Sequence, residues 1–459
     1  MDINKEFFPE KIFNIEFIEL VKNRKSNDIK KLIEELYPVD IAHIIEELEE
    51  IDDKVYLITL PEDKDFIVEA FEELEFLNQE EIIKNIHDRK LVSLILNTMA
   101  SDDRADFFAS LSKDVAERLS EKLLPEEKKD LDELLQYEEN TAGGIMTTEF
   151  VGLNKELTVE EAIAVLRNKY KNAETIYVEF VVDTQGSLLG ILSLRDIIIA
   201  EPGTKLKDIM ETNVIYVYTY VDQEEVANVF QKYNFSAVPV LDTNEKVVGI
   251  ITFDDIMDVI EEEATEDMQK IGASFPLEES YFDTSVFDLV KKRLLWLCVL
   301  LLVGTVTSSI IRSYDNLLAI LIPLSYFIPI ITDTGGNTGT QSSTMIIRSL
   351  ALGEVQLTDT FRVLRKELLI GFILGCFLAV LGFMQSLFIS KIPEVSFTLG
   401  FALIFTTVSS ACAGGVLPIM AKKLKLDPTV MSGPLISTIV DIGGLIIYFE
   451  TAKIILKIF

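Results

Sequence analysis

The chain contains few of the residues that carry most enzyme and metal chemistry. Its 459 residues include two histidines, three cysteines and one tryptophan. We expect His43 and His87 to be ordinary residues of a helical region, so zinc ligation and histidine-based catalysis are not expected. Cys298, Cys376 and Cys412 lie in apolar stretches without a pairing pattern, which predicts buried thiols and no disulfide framework.

Basic residues are scarce in the first part of the chain, and a phosphate-binding loop is absent throughout. The first 287 residues hold 65 acidic and 28 basic side chains, whereas the remainder holds 10 and 14. This acidic excess repels nucleic acid and attracts cations, although a solvated acidic surface is the alternative interpretation. No glycine precedes a Lys-Ser or Lys-Thr pair, so we expect neither a P-loop ATPase nor another enzyme.

Long hydrophobic runs begin only after residue 293. Five runs, each near or above the ~20 residues needed to cross a bilayer, cover about residues 294–311, 317–347, 368–389, 396–420 and 429–455. Basic residues cluster before the first run and after the second and fourth, at Lys291, Lys292, Arg293, Arg362, Arg365, Lys366, Lys422, Lys423 and Lys425. We therefore expect a multi-pass protein of the cell membrane with a cytoplasmic acidic half.

Two of these runs contain polar residues that suit an ion path. Asp441 lies in the fifth run, where a central carboxylate costs roughly 2.5–3.5 kcal/mol and normally serves transport. Ser437 lies one helical turn before it. In the second run, Asp333 precedes a Gly335-Gly336 pair that permits a helix break or a close backbone approach. Helical spacing then predicts one polar face, which is either an ion path or a helix–helix contact, at Thr334, Asn337, Thr338 and Gln341.

The soluble half begins with helices and continues with an internal repeat. Prolines at positions 38, 61 and 125 separate short amphipathic segments, which predict an all-α superhelical domain over residues 1–136. Residues 182–197 then match residues 241–256 at a constant offset, and the first copy carries about five extra residues around Asn172–Val178. Each copy is predicted to fold as helix, strand, turn, strand and helix, which resembles a tandem CBS pair over residues 137–252.

The two repeat copies share a short polar motif. Ser193-x-x-Asp196 and Thr252-x-x-Asp255 match the ribose-contacting motif of CBS domains that bind adenosine nucleotides. ATP is therefore a candidate modulator, although a helix N-cap after a strand explains either pair equally well.

The segment that follows the repeat is the most acidic of the chain. Residues 253–287 are predicted to form an acidic connecting helix. Eight of the fourteen residues from 254 to 267 are acidic, namely Asp254, Asp255, Asp258, Glu261, Glu262, Glu263, Glu266 and Asp267. Like charges at this spacing destabilise an isolated helix. The helix is therefore either fully solvated or neutralised by divalent cations.

At this point the chain resembles the MgtE family of magnesium channels over nearly its whole length. The resemblance is carried by four motifs, at residues 137–146, 261–267, 335–341 and 427–434, the last followed by Asp441. It implies a homodimer with five spans per subunit (residues 288–459), a pore lined by the second and fifth spans, and a "plug" helix at about residues 253–272.

The resemblance also implies roles for single residues. Asp441 matches an essential pore aspartate, Asn337 a pore-lining asparagine, and Asp427 an aspartate at the cytoplasmic mouth. Regulatory carboxylates of the N-terminal domain are matched by Asp102, Asp103 and Asp106. Gly433 departs from the pattern, because some relatives place an asparagine there.

The sequence thus predicts a Mg²⁺-selective channel, closed when cytosolic Mg²⁺ binds at the acidic interfaces. Mg²⁺ prefers octahedral oxygen ligands and sheds water reluctantly, so a site with few carboxylates and several other oxygens can hold it partly hydrated. The expected pore ligands are Asp441, Asn337, Ser437 and Asp333. A Na⁺-coupled divalent-cation exporter and a non-conducting CBS-regulated sensor remain alternatives. The bilayer and a second copy are the expected partners, and nucleic acid is not.

Overall fold

The computed structural model describes residues 10–169, 173–277, 281–282 and 284–457. The chain divides into two units, Met1–Val259 and Ile260–Phe459. Part of the insertion predicted in the first repeat copy, including Asn172, lies outside the described residues.

The first unit opens with a series of short helices, as the proline spacing predicts. Pro38 and Pro125 lie in the first turns of their helices, where the missing N–H group costs nothing. Most of the contacts between these helices join a helix to one of the next three along the chain, as in a stacked array. The helices are α1 (Glu10–Lys22), α2 (Ser26–Ile33), α3 (Pro38–Glu46), α4 (Ile51–Ile58), α5 (Lys64–Glu72), α6 (Phe76–Asn85), α7 (Arg89–Thr98), α8 (Ser101–Ser110), α9 (Lys113–Ser120) and α10 (Pro125–Leu134).

Two small α/β modules with the same topology follow. Each contains a three-stranded sheet in which the first strand pairs parallel and the third antiparallel to the middle strand. The first comprises β1 (Gly152–Asn154), α11 (Val159–Lys169), β2 (Val178–Val182), β3 (Leu188–Ser193), α12 (Leu194–Ile199) and α13 (Leu206–Ile209). The second comprises β4 (Val217–Tyr218), α14 (Gln223–Tyr233), β5 (Ala237–Leu241) and β6 (Val247–Thr252).

A glycine shared by the two repeat copies explains part of the sequence match. A side chain at Gly190 would lie 2.7 Å from the Glu211 carbonyl oxygen, and one at Gly249 would lie 2.7 Å from that of Thr147. In each module, the strand therefore admits a crossing backbone segment only because its central residue has no side chain.

The acidic segment forms a single helix, α15 (Phe253–Ile271), that starts directly after β6. It extends from the end of the first unit into the second. The helix is therefore shorter than the predicted segment 253–287, and it ends close to the limit of the plug helix that the resemblance implies.

The second unit is helical throughout its described elements. Its helices are α16 (Val286–Ser313), α17 (Asp315–Ile320), α18 (Ile328–Ala351), α19 (Thr360–Ser390), α20 (Pro393–Lys423) and α21 (Gly433–Leu456). Within the described part of the chain, three helical stretches are long and apolar enough to cross a membrane by length and composition: Val286–Ser313, Leu357–Ser390 and Pro393–Lys423. The remaining two predicted spans correspond to α18 and α21, which have 24 residues each and carry the polar motifs.

The second span is interrupted, but not at its glycine pair. Residues Ile322–Phe327 form a short 3₁₀ segment between α17 and α18, and Pro323 lies within it. Gly335 and Gly336 lie inside the continuous α18, where both are buried. Their function is therefore close packing and not a break.

One helix of the second unit has no buried face. Helices α18, α19, α20 and α21 pack against one another, whereas none of the residues of α16 is buried. The expectation of buried cysteines is wrong for Cys298, which is exposed on α16, while Cys376 and Cys412 are partly buried. An apolar exposed surface of this kind is the normal state of a helix that contacts lipid or a second subunit.

Candidate ion pathway and regulatory site

The candidate pathway is built where α18 packs against α21. A side chain at Gly336 would collide with the Ser437 hydroxyl and lie 3.6 Å from Asp441 Oδ1. One turn further along α18, a side chain at Gly339 would lie 3.0 Å from Ile436 Cγ2. Glycine at both positions allows the two helices to approach closely, and this approach places Asp441 and Ser437 directly beside the α18 backbone.

Asp441 has the environment of a cation ligand. The residue is half-buried, and its Oδ1 atom is buried without a hydrogen-bond partner among the described residues. Asp333 on α18 is close enough to repel it electrostatically. Because a buried carboxylate oxygen without a donor is costly, this arrangement favours a positive ion at Asp441.

The other predicted pore residues lie on an exposed line of α18. Asp333, Asn337 and Gln341 follow one another at four-residue spacing, and all three are exposed. Thr338, which was predicted on the same polar face, is instead buried at 8% exposure. One chain therefore brings Asp441 and Ser437 together beside α18, whereas Asn337 faces away from the helices of its own chain.

A second polar site contains Asp427, in the turn before α21. This carboxylate accepts hydrogen bonds from the Thr429 backbone N–H at 2.8 Å and from Lys270 Nζ at 2.9 Å. Burial raises the pKa of Asp427, but the bonds from Thr429 and Lys270 outweigh burial and hold that pKa below its usual range. Lys270, in the last turn of α15, also forms an ion pair with Glu266. The end of α15 is thus bound to Asp427 by a lysine.

Lys270 has no role that its sequence context predicts. Only its position in the sequence could have drawn attention to it, because Lys270 is the first basic residue after the acidic run. Its neighbour Asp267 has a raised pKa, because of burial and of repulsion by Asp427. The pairing with Asp427 joins residues 157 positions apart, and no sequence pattern reveals such a contact.

Carboxylates from three parts of the first unit form an acidic cluster. Asp102 and Asp103 lie in the first turn of α8, and Asp255 lies in the first turn of α15. Asp254, next to Asp255, belongs to the same group, and these four residues were predicted from the sequence, whereas Glu72, Glu149 and Glu174 were not, because they carry no motif of their own. Electrostatic repulsion links all members of the cluster: Glu72, Asp102, Asp103, Glu149, Glu174, Asp254 and Asp255.

Burial and mutual repulsion raise the pKa values of Glu72, Asp102, Asp103, Glu149, Glu174 and Asp255. Burial, followed by repulsion from Asp255, raises the pKa of Asp102 well above its usual range, and Asp102 Oδ1 is buried without a hydrogen-bond partner in the described residues. Local desolvation and repulsion from the same neighbour raise the pKa of Glu174 to about 7, although this side chain is exposed. Burial raises the pKa of Glu149 to about 7 despite the nearby charge of Arg104.

Little basic charge offsets the cluster. Arg104 is 1% exposed, forms an ion pair with Glu127 at 2.5 Å and donates to the Met99 carbonyl at 3.0 Å. Its charge is thus engaged mainly with Glu127. No three acidic, histidine or cysteine side chains among the described residues converge as a direct metal site. The cluster therefore suits cations that bridge carboxylates through retained water.

The remaining predicted regulatory carboxylates lie on helix surfaces. Asp106 is exposed on α8, and Asp258, Glu261 and Glu262 are exposed along α15, whereas Glu263 is half-buried. These residues do not join the buried part of the cluster.

The two predicted nucleotide motifs both form helix caps. The Ser193 hydroxyl donates to Asp196 at 2.5 Å and accepts from the Asp196 N–H at 3.1 Å, and Asp196 is exposed. The Thr252 hydroxyl likewise donates to Asp255, but Thr252 is buried. Because Asp255 also belongs to the acidic cluster, the first copy is the more accessible of the two.

The first unit contains paired α/β modules and an acidic cluster, and the apolar helices of the second unit enclose a carboxylate. This combination defines a cation-transport protein of the membrane. Family models match residues 36–140 (MgtE intracellular N domain), 142–203 and 206–262 (CBS domain), and 328–451 (MgtE, divalent cation transporter). The chain belongs to the MgtE family, since it is similar along almost its whole length to curated members.

Two relatives and two solved structures support this membership. The magnesium transporter MgtE of Thermus thermophilus is 36% identical over 96% of this chain and 97% of the relative, and that of Bacillus subtilis is 34% identical over 95% and 96%. The cytosolic domain of the Mg²⁺ channel MgtE in complex with ATP matches with a TM-score of 0.51 and 35% identity, over 54% of this chain and 99% of that chain. The soluble part of a magnesium transporter matches with a TM-score of 0.51 and 33% identity, over 56% and 99%.

Proposed function

We propose that this chain is a Mg²⁺ channel of the cell membrane, through which Mg²⁺ enters the cytosol down its electrochemical gradient. Its membership of the MgtE family and the buried, unpartnered oxygen of Asp441 support the proposal. A potential of about 100 mV contributes roughly 4.6 kcal/mol to the inward movement of a divalent cation, so no ATPase motif is needed. Helices α16, α18, α19, α20 and α21 would be the five spans, with the acidic half in the cytosol.

The conducting unit would be a homodimer. Asp333, Asn337 and Gln341 form an exposed polar line on α18, which would be unfavourable against lipid. In a dimer, this line and its copy would face one another across a water-filled path. Asp441 and Ser437 would supply oxygen ligands for a partly hydrated Mg²⁺.

Regulation would occur at the acidic cluster and at the end of α15. When cytosolic Mg²⁺ is low, the carboxylates around Asp102 and Asp255 repel one another and favour separation of the N-terminal domain from the CBS pair. When it is high, hydrated Mg²⁺ ions bridge them and favour the associated state. Ligand linkage requires only that the closed channel bind more ions than the open one.

ATP would act as a modulator through the first CBS module. The exposed Asp196 with Ser193 is the accessible copy of the ribose-contacting motif. The likeness to a cytosolic domain crystallised with ATP supports this assignment. If Asp196→Ala leaves the heat of ATP binding to the full-length protein unchanged, this assignment is wrong.

The proposed channel is tested by Mg²⁺ uptake into liposomes containing the purified protein. Wild type should admit Mg²⁺ under an inside-negative potential, whereas Asp441→Asn and Asp441→Ala should not, because they remove the attracting charge. Asp315→Asn is the matched control, since Asp315 is an exposed carboxylate of the same unit. Uptake by both Asp441 variants at the wild-type rate would remove Asp441 from the pathway.

A further inference from the structure

A buried carboxylate that the proposed ion pathway does not use lies on α19. Glu367 is only 8% exposed, whereas the neighbouring Arg365 and Lys366 are exposed. The other buried residues of this helix are small or apolar: Val363, Gly371, Gly375, Ala379, Gly382 and Ser386. An ionisable group on the packed face of a membrane helix normally has a functional partner.

The partner of Glu367 belongs to the helix that carries the polar line. The Ser342 hydroxyl on α18 donates to Glu367 Oε2 at 2.7 Å, and Ser342 is also 8% exposed. Both groups are thus withdrawn from solvent. A hydrogen bond to a buried carboxylate is stronger than one between neutral groups, and its loss leaves an unpaired buried acceptor.

Helix α20 makes room for this bond with two consecutive glycines. A side chain at Gly415 would lie 2.7 Å from Glu367 Cγ. A side chain at Gly414 would collide with the Gly339 carbonyl oxygen of α18 and lie 3.0 Å from Ser342 Cβ. Gly414 thus admits α18 and Gly415 admits Glu367, so three helices meet at one polar contact.

We propose that Glu367 is a positioning residue of the ion pathway, whose hydrogen bond to Ser342 fixes the rotation of α18. Ser342 directly follows Gln341 of the exposed polar line, and successive helical residues are about 100° apart. A rotation of that size would withdraw Ser342 from Glu367 and turn Asn337 away from the path. Glu367 itself lies on the packed side of the bundle, so it orients α18 without touching the permeating ion. This inference rests on the proposed function.

The test uses single-channel recording and thermal unfolding of the full-length protein in four variants. Ser342→Ala and Glu367→Ala remove the bond, whereas Glu367→Gln keeps an oxygen that accepts from Ser342. The control is Ser386→Ala, because Ser386 is equally buried on α19 but its hydroxyl accepts from Ser396 of α20 at 3.2 Å and does not reach α18.

We expect Ser342→Ala and Glu367→Ala to lower Mg²⁺ conductance about tenfold and to reduce the Mg²⁺ to Ca²⁺ permeability ratio, as the loss of one buried hydrogen bond implies. Glu367→Gln and Ser386→Ala should conduct and select like wild type. A purely structural contact would lower the unfolding temperature without altering the permeability ratio of the folded channels.

Three outcomes would overturn the inference. The first is a Ser342→Ala channel with wild-type selectivity and conductance. This result would overturn the inference even if Glu367→Ala fails to fold. A Glu367→Gln channel as impaired as Glu367→Ala is the second, because it would show that charge and not hydrogen bonding is required. The third is the absence of Mg²⁺ current in the wild-type protein, which would contradict both the proposed function and this inference. If the wild type conducts and the variants behave like it, only the inference is contradicted.

Discussion

The position of the Asp441 carboxylate in the candidate pathway depends on glycines of the neighbouring helix α18 as well as on its own helix α21. Asp441 lies beside the α18 backbone because Gly336 and Gly339 leave room for α21. Gly335 performs the same function toward α20, where a side chain would lie 3.1 Å from Thr406 Cγ2. The glycine motif is therefore a packing surface for the site, and its substitution should affect permeation.

Gly336→Ala should reduce Mg²⁺ uptake strongly and destabilise the membrane unit by about 1–3 kcal/mol, the usual effect of overpacking. The physical reason is the collision of the added methyl group with the Ser437 hydroxyl. Gly304→Ala on α16 is the control, because nothing lies within 4 Å of its added methyl. Thermal unfolding in detergent and liposome uptake measure the two effects. Equal behaviour of the two variants would contradict the packing assigned to Gly336.

Lys270→Met should raise the open probability at high cytosolic Mg²⁺ about two- to fivefold, as expected for one partly exposed ion pair. The substitution removes the bond from α15 to Asp427. Single-channel recording measures the effect, with Lys129→Met as the control because Lys129 pairs with Glu133 on an exposed helix surface. An unchanged open probability would mean that the Lys270–Asp427 contact does not hold the channel closed.

At the scale of elements, α15 links the two candidate regulatory sites. Its first turn contributes Asp255 to the acidic cluster, and its last turn contributes Lys270 to the contact with Asp427. Two members of the cluster, Glu149 and Glu174, have pKa values raised to about 7, so protons compete with cations for these carboxylates near neutral pH. This competition makes the effect of Mg²⁺ dependent on pH.

The stability of the first unit without Mg²⁺ should fall as the pH rises from about 4.5 to about 7. The pKa values of Glu149 and Glu174 are raised from 4.5 to about 7, so in this window the folded unit holds more protons than the unfolded chain. Thermal unfolding of the full-length protein should therefore show a larger gain from Mg²⁺ at about pH 8 than at about pH 6. Burial also raises the pKa of Glu179 to about 8, so this residue adds its own loss of stability as the pH rises. Measurements in the Glu179→Gln background remove that contribution and leave the contribution of the cluster. An equal gain at both pH values would contradict the competition.

Asp102→Asn should stabilise the first unit in the absence of Mg²⁺ and weaken its stabilisation by Mg²⁺. The substitution relieves the repulsion from Asp255 and Asp103, but it also removes a ligand charge. Asp114→Asn, an exposed acid of α9, is the control. Thermal shift titrations with Mg²⁺ measure both effects. If both variants respond to Mg²⁺ as wild type does, the cluster is not the regulatory site.

Features of the fold and of the candidate sites can be predicted well from the sequence where they depend on neighbouring residues, and poorly where they depend on packing between distant segments. The repeat follows from matched residues such as Gly190 and Gly249, and Asp441 is conspicuous because it interrupts an apolar run. Lys270 and Glu367 could not be assigned in this way, because their partners lie 157 and 25 residues away. The glycine pair of the second span left two possibilities open, a helix break or a close backbone approach, and packing decides for the approach, while the 3₁₀ segment lies at Pro323.

At the scale of the whole molecule, one helix, α15, continues from the acidic half of the chain, for which we propose a Mg²⁺-sensing role, into the membrane half. We propose that both halves respond to Mg²⁺, which permeates past Asp441 and binds at the acidic cluster. Mg²⁺ on the cytosolic side should therefore inhibit its own entry. The response should also require no nucleotide hydrolysis and no Na⁺ gradient.

The most direct test is a single-channel recording of the purified protein in a planar bilayer, with Mg²⁺ as the only permeant cation and the Mg²⁺ concentration varied on the side of the soluble half. The account predicts discrete Mg²⁺ currents that become rarer as this concentration rises, while the conductance of each opening, corrected for driving force, stays the same. Asp441→Asn should show no openings. Absence of current in wild type, or Mg²⁺ movement only in the presence of a Na⁺ gradient, would contradict the account and favour a sensor or a coupled exporter.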